Sequence, residues 1–318
     1  MKILTFDELQ EEFDAQIQLL SRGANWGIFD FEQIKHAIKL GYPSSPYYGV
    51  YGIEEGEVIC KVEVIEFEFE TINGIETIAG IAGVLTRQDK SREGLARKLL
   101  ENVHQREKES GIEISLLWTG RNNKAHNLYE SLGYVDVYGP TFAVRKIPNN
   151  YKYDGKLKIR EASKEDAVVI ENLHSKFANG RLGFTKRPRG LVKMFFEVGI
   201  EEPKSFQIIL SENSEPIGYA QFQGSSWISS QEVVVDQQYA SETISLLSEK
   251  AKGKWLSFSD TFTLENNELL TKQGYKISPY SYSTLMALSL NSNLKNPDIA
   301  SLLGTKDPKF ICQSMDHF

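Results

Sequence analysis

The sequence is poor in cysteine: Cys60 and Cys312 are the only two in 318 residues. A disulfide framework is therefore excluded, and a reducing, cytoplasmic setting fits. Both thiols read as small buried apolar residues. No apolar run approaches the roughly 20 residues that span a bilayer. The opening MKILTFDELQEEFD turns acidic too soon for a signal peptide, so no membrane partner is expected. Histidine is scarce, and His36, His104, His126, His174 and His317 show no metal-ligand spacing; no metal is expected. Both GxxxxGK[ST] and a GxGxxG after a strand are missing, which excludes the common nucleotide sites. Positive charge is in deficit, 36 Lys and Arg against 43 Asp and Glu for a net −7. That balance argues against nucleic acid as partner and mildly favours a cationic substrate.

What is present fits a globular protein, 41% hydrophobic and 25% charged, long enough for two cores. The turn-rich IPNNYKYDGKL, residues 147–157, divides it into domains 1–148 and 149–318. In the first, FDELQEEFDAQIQLL (Phe6 to Leu20) and DFEQIKHAIKLG (Asp30 to Gly41) have helical spacing, while YYGVYGI, EVICKVEVIEFEFE and GIETIAGIAGVLT read as strands. The apolar face swaps between Val62, Val64 and Phe67, Phe69, which predicts a bulge near Ile65. A helix, the strand IEISLLWT and the helix NKAHNLYESLG follow. The second half repeats this succession, from KIREASKEDAVVIENLHSKF, with Ser163 and Asp166 as caps, to SYSTLMALSL. LYESLGY recurs as LLTKQGY 141 positions later, matching at Leu, Gly and Tyr. The fold class is α/β (α+β, mixed sheet), built from two copies of one unit.

One stretch carries chemistry: AGVLTRQDKSREGLARKLL, Ala82 to Leu100. A strand enters a basic, glycine-containing turn and then a helix. The first amides of a helix lack internal partners and carry partial positive charge. With Gly94 allowing close approach and Arg87, Lys90, Arg92 and Arg97 nearby, this is a site for a phosphate-bearing ligand.

This stretch resembles motif A of the GNAT superfamily of acetyl-CoA-dependent acyltransferases. In that family a [QR]-x-x-G-x-[GA] turn wraps the coenzyme A pyrophosphate; here it is Ser91-Arg92-Glu93-Gly94-Leu95-Ala96, with Ser91 where Gln or Arg is usual. NNKAHNLYESLGY, Asn122 to Tyr134, resembles the family's second signature. The resemblance implies acetyl-CoA as co-substrate. Backbone groups of Val84, Leu85 and Thr86 would hold the pantetheine arm and thioester, and residues Lys90 to Arg97 would hold the diphosphate. Asn122 would lie beside them, and Tyr129 would protonate the departing thiolate. The acceptor would be a primary amine of a small molecule. Glu66, Glu68, Glu70 and Glu76 are the candidates for a base. A competing reading is a non-catalytic protein that binds acyl-CoA or another ligand; a third is aminoacyl transfer from charged tRNA.

The second copy has Leu270 where Tyr129 recurs, and EVVVDQQYASETISLL, without glycine or arginine, where motif A should stand. It reads as a degenerate GNAT copy. An active first domain with a degenerate second one is similar to the enhanced-intracellular-survival-type acetyltransferases, in which the terminal carboxylate serves as base; that resemblance nominates Phe318. Too few residues follow Leu290 for the sterol-carrier-like domain of those enzymes. A monomer or homodimer is expected.

Overall fold

The computed structural model describes residues 1–22, 31–40, 47–278, 281–291 and 296–313. Contacts divide these into two compact units. The first is Met1–Tyr138 with Tyr282–Thr305; the second is Gly139–Ser281 with the segment that begins at Lys306.

In the first unit the elements run β1 (Lys2–Thr5), α1 (Asp14–Arg22), α2 (Phe31–Lys39), β2 (Tyr47–Glu54), β3 (Glu57–Thr71), β4 (Gly74–Thr86), α3 (Leu95–Glu109), β5 (Ile114–Gly120), α4 (Lys124–Ser131) and β6 (Val135–Tyr138). The second unit continues with β7 (Phe142–Lys146), β8 (Lys158–Glu161), α5 (Ala167–Ala178), β9 (Leu182–Gly183), α6 (Leu191–Val198), β10 (Phe206–Leu210), β11 (Pro216–Gln223), β12 (Trp227–Val235), α7 (Ala240–Lys250), β13 (Trp255–Ser259), α8 (Asp260–Glu265), α9 (Asn267–Lys272) and β14 (Lys276–Ile277). Last come β15 (Ser283–Ser289), α10 (Asn296–Leu302) and β16 (Phe310–Ile311).

The helix expected from Phe6 begins only at Asp14. Thr5 and Glu8 close a capping box around one 3₁₀ turn, and a second such turn follows before regular helix starts. Ser163 and Asp166 form the expected cap before α5, reinforced by two hydrogen bonds from Arg160 to Asp166.

The first sheet has the order β1-β2-β3-β4-β5-β15-β6, and the second β14-β7-β13-β12-β11-β10-β8. Each sheet thus takes a strand from the other half of the sequence. Ser283–Ser289 lies between β5 and β6, and Phe142–Lys146 lies between β13 and β14. The compact units therefore differ from the division at 148/149. Residues 139–141 join β6 to β7 before the turn-rich connector is reached.

In the first unit Val50, Val62 and Val64 face Leu99, Leu100 and Val103 of α3. On the opposite face Tyr51 and Ile53 pack with Phe13 and Ile17. In the second, Val233, Leu256 and Phe258 pack with Ile244 and Leu247 of α7. Each large side chain so buried is worth about 1.5–3 kcal/mol.

Candidate active site

β4 pairs with β3 over nearly its whole length but with β5 only from Ala79 to Ile81, against Ser115 to Leu117. Past Ile81, β4 stays on β3 while β5 stays on β15. The two parallel strands therefore part, and Val84, Leu85 and Thr86 form one edge of a wedge. Backbone groups along such an edge are released from the ladder for a ligand.

The β3–β4 ladder slips at the same level. Lys61 faces Leu85 and Glu63 faces Ala82, so β4 carries an extra residue around Gly83 and Val84. Gly83 has φ +50°, and a Cβ there would sit 2.1 Å from Glu63 Oε2. Only glycine leaves room for that carboxylate. Glu63 is 3% exposed and pairs at 2.5 Å with Lys61, itself 1% exposed. Burying two charges is costly even when they are paired, so this pair is poorly explained as a stabilising device.

The bulge expected near Ile65 is therefore at Lys61–Glu63 instead, and register runs unbroken from Glu63 to Thr71. The apolar swap has another cause. Along β3 the face of Val62 and Val64 is covered first, and further on it is the face of Phe69. Glu66, Glu68 and Glu70 continue the α3-side face, opposite to Glu63, and Glu66 feels Arg106 of α3. Glu76 accepts from Thr71 at 3.0 Å. Reading the strand for alternating carboxylates overlooked Glu63; the signal was Gly83, a glycine inside an apolar strand, which marks a close approach.

After Thr86 a 3₁₀ turn, Gln88–Lys90, leads through Ser91 to Gly94. Arg92 (φ +71°) and Gly94 (φ +78°) are left-handed, interleaved with residues of negative φ. Such alternation turns N–H groups toward one concavity. The first helical bond runs from Lys98 N–H to the Gly94 carbonyl at 3.1 Å, so the amides of Leu95, Ala96 and Arg97 have no acceptor within the helix. Ser91, Arg92, Glu93 and Gly94 are exposed, and a Cβ on Gly94 would meet nothing within 4 Å. The start of α3 is bare, polarised and open.

Arg87 is engaged by Glu57 and Asp89, Lys90 by Glu54, and Arg97 donates to Ser131 Oγ. Arg92 has no side-chain partner among the described residues and is the cation left to support Ser91. The Arg97–Ser131 bond ties the first turn of α3 to the last residue of α4.

Tyr129 lies on α4, 6% exposed, in the same apolar cluster as Ile81 and Leu117, the last paired residues before the strands part. Its ring meets Tyr134 edge-on at 5.9 Å. The Tyr134 hydroxyl in turn bonds Ser115 Oγ at 2.7 Å and His104 Nε2 at 2.9 Å. Burial pushes the Tyr129 phenol up to about 12 and His104 down to about 4. At neutral pH the phenol therefore keeps its proton and the imidazole is uncharged. Asn122 is exposed, and the cap of α4 is its neighbour Asn123, which accepts from Ala125 N–H at 3.2 Å. Phe318 lies outside the described residues.

In the second unit β12 pairs with β13 from Trp227 to Ser230 and then leaves it. The turn into α7 is Asp236 and a 3₁₀ segment, Gln237–Tyr239, with neither glycine nor arginine. Leu270, fully buried, fills the position related to Tyr129. Among the described residues no group of three or more His, Cys, Asp or Glu could hold a metal ion, and no helix is long and apolar enough to cross a membrane.

A strand that leaves its parallel neighbour is thus followed by an open helix start, with a buried phenol in the cluster where the strands part. Residues 9–135 match the sequence model of the acetyltransferase (GNAT) domain. Solved structures share the fold over both units. A GCN5-related N-acetyltransferase from Kribbella flavida is 16% identical at TM-score 0.61, over 91% of this chain and 72% of its own. Eis1 from Mycobacterium abscessus is 12% identical at TM-score 0.59, over 90% and 73%. A tandem GNAT protein from the clavulanic acid biosynthesis pathway is 10% identical at TM-score 0.56, over 91% and 98%. No curated protein sequence matches the chain.

Proposed function

We propose that the first domain transfers an acetyl group from acetyl-CoA to a primary amine of a small molecule by direct attack on the thioester. The observation that carries this is the wedge between β4 and β5, with Tyr129 in the cluster at its base and the open start of α3 following β4. The diphosphate would rest on the amides of Gly94 to Arg97, with Arg92 beside it. The pantetheine arm would lie along Val84, Leu85 and Thr86. The amine nitrogen bonds to the carbonyl carbon as the carbon–sulfur bond breaks, and Tyr129 gives its proton to the leaving sulfur. The proton lost by the ammonium goes to Glu63, which accepts it beside the bulge. The second domain, with no amide cradle and Leu270 in place of the phenol, is a degenerate copy.

Tyr129→Phe is expected to lower kcat by about 10²-fold or more and to leave acetyl-CoA affinity unchanged. Because the phenol titrates at about 12, its neutral form is lost only as pH rises through that value. Wild-type kcat should therefore show no alkaline fall below about pH 11. Steady-state thiol release checks both, and an unaltered kcat in the variant sinks the assignment of the acid.

Glu63→Gln preserves shape and removes the proton acceptor. It should cost about 10²-fold in kcat, partly recovered at alkaline pH where the amine is already free. A pH-independent loss would assign Glu63 to packing instead.

A further inference from the structure

The two copies also differ in chemistry where the helix that follows the parting strands meets the exchanged strand. Where α3, the end of α4 and β15 meet in the first unit, Met286 is fully buried with Leu132 and Leu288 packed on the same cluster. At the equivalent positions, set by strand register for the exchanged strands, the second unit has Arg145 where the first has Leu288, and Gln273, Lys272 and Ser245 where the first has Leu132, Ser131 and His104. The apolar plug has become a hollow of about 470 Å³ lined by Arg145, Tyr151, Ser245, Lys272, Gln273 and Gly274. That volume is ample for a small organic molecule.

Its electrostatics point one way. The lining holds two cations and no carboxylate. Arg145 has no ion-pair partner among the described residues. Its guanidinium instead lies 5.7 Å from the Tyr151 ring and 5.9 Å from the Tyr275 ring. The Tyr275 hydroxyl is fixed by Ser248 at 2.7 Å, so one of the two rings is locked. Among the described residues Lys272 pairs only with Glu268, 4.0 Å away and 92% exposed. Arg145 shares the strand face of Ala143, which packs under α7, and so its stem is directed into the hollow's floor. An arginine held by ring faces keeps its N–H fork free for a planar, bidentate oxyanion. The Ser245 hydroxyl and the Gln273 amide stand beside it, 3.4 Å apart. Gly274, φ +82°, leaves the approach to Arg145 without a side chain.

We propose that this hollow is a second ligand site, in the copy without an acetyl-CoA cradle, for a small organic oxyanion gripped by Arg145 and Lys272. Phosphate esters and carboxylates share the required chemistry. The site is independent of the reading of the Gly94 loop.

Titration calorimetry of the full chain with inorganic phosphate and with citrate tests it, each repeated on Arg145→Leu and on Ser245→Glu. The first variant installs the residue that the other copy carries at this position; the second puts a carboxylate inside the hollow. Saturable binding of phosphate, citrate or both should weaken about tenfold or more in each variant that keeps its melting temperature. Phosphate alone would identify a phosphoryl ligand, and citrate alone a carboxylate. No saturable binding by either probe, or equal binding in wild type and variants (phosphate settling on the Gly94 loop, for example), overturns the proposal.

Discussion

Gly94→Trp is expected to abolish measurable acetyl-CoA binding, a loss of about 10²-fold or more, and turnover with it. The argument rests on two properties of position 94. Its φ of +78° admits a side chain only at a cost of about 1–3 kcal/mol, and nothing lies within 4 Å of where the new Cβ would be. A side chain therefore leaves position 94 without a clash at its Cβ, and the domain should lose only a few degrees of melting temperature. The space the side chain fills is the space that a diphosphate, bound as proposed, would need to reach the amides of Leu95, Ala96 and Arg97. Calorimetry with acetyl-CoA, run beside a melting curve, separates the two effects. A folded variant that binds like wild type would remove the loop from the site.

The second large effect concerns residues far along the chain from that loop. A chain ending at Ser281 is expected to lose the first domain's fold, although it retains every residue matched by the family. β15 pairs with β5 along seven register positions, from Ser283↔Gly120 to Ser289↔Ile114, and with β6 on its other side. Leu285, Met286 and Ala287 are fully buried. Two such large side chains account for about 3–6 kcal/mol, and an opened sheet edge adds to the loss. A domain's whole stability is about 5–15 kcal/mol. Far-ultraviolet circular dichroism and acetyl-CoA binding should both collapse, and a synthetic peptide of residues 282–290 should restore part of each. A truncated chain that binds acetyl-CoA at full strength would show that β15 is dispensable.

Much of this was legible in the sequence, for identifiable reasons. The strand–turn–helix at Ala82–Leu100 is a local pattern, and the repeat is a recurrence of such patterns along the chain. β6 and β14 keep the 141-residue offset, whereas in β15 and β7 the register sets Met286 in the place of Ala143. Which sheet receives each exchanged strand was not legible. FAVRK and STLMALS alternate in ways that suit either slot, and only pairing partners distant in the chain decide between them. The start of α1 was hidden because Phe6, Leu9 and Phe13 mimic helical spacing while two 3₁₀ turns use the same residues. Glu63 was hidden inside the run EVICKVEVI, where its neighbour Lys61 reads as an ordinary solvated charge. Burial of both is a tertiary fact, set by the other face of the sheet. Arg145 gave no signal at all, since an arginine at a strand end is commonplace; only the comparison with Leu288 exposes it.

The reciprocal loan of strands also sets a timetable for synthesis. When Tyr138 leaves the ribosome, the slot between β5 and β6 has no occupant. At roughly 5–20 residues per second, translation takes on the order of ten seconds more to deliver Ser289. Throughout that interval the nascent enzyme presents the bare flank of β5, rich in Ile, Leu and Trp, to every other polypeptide in reach.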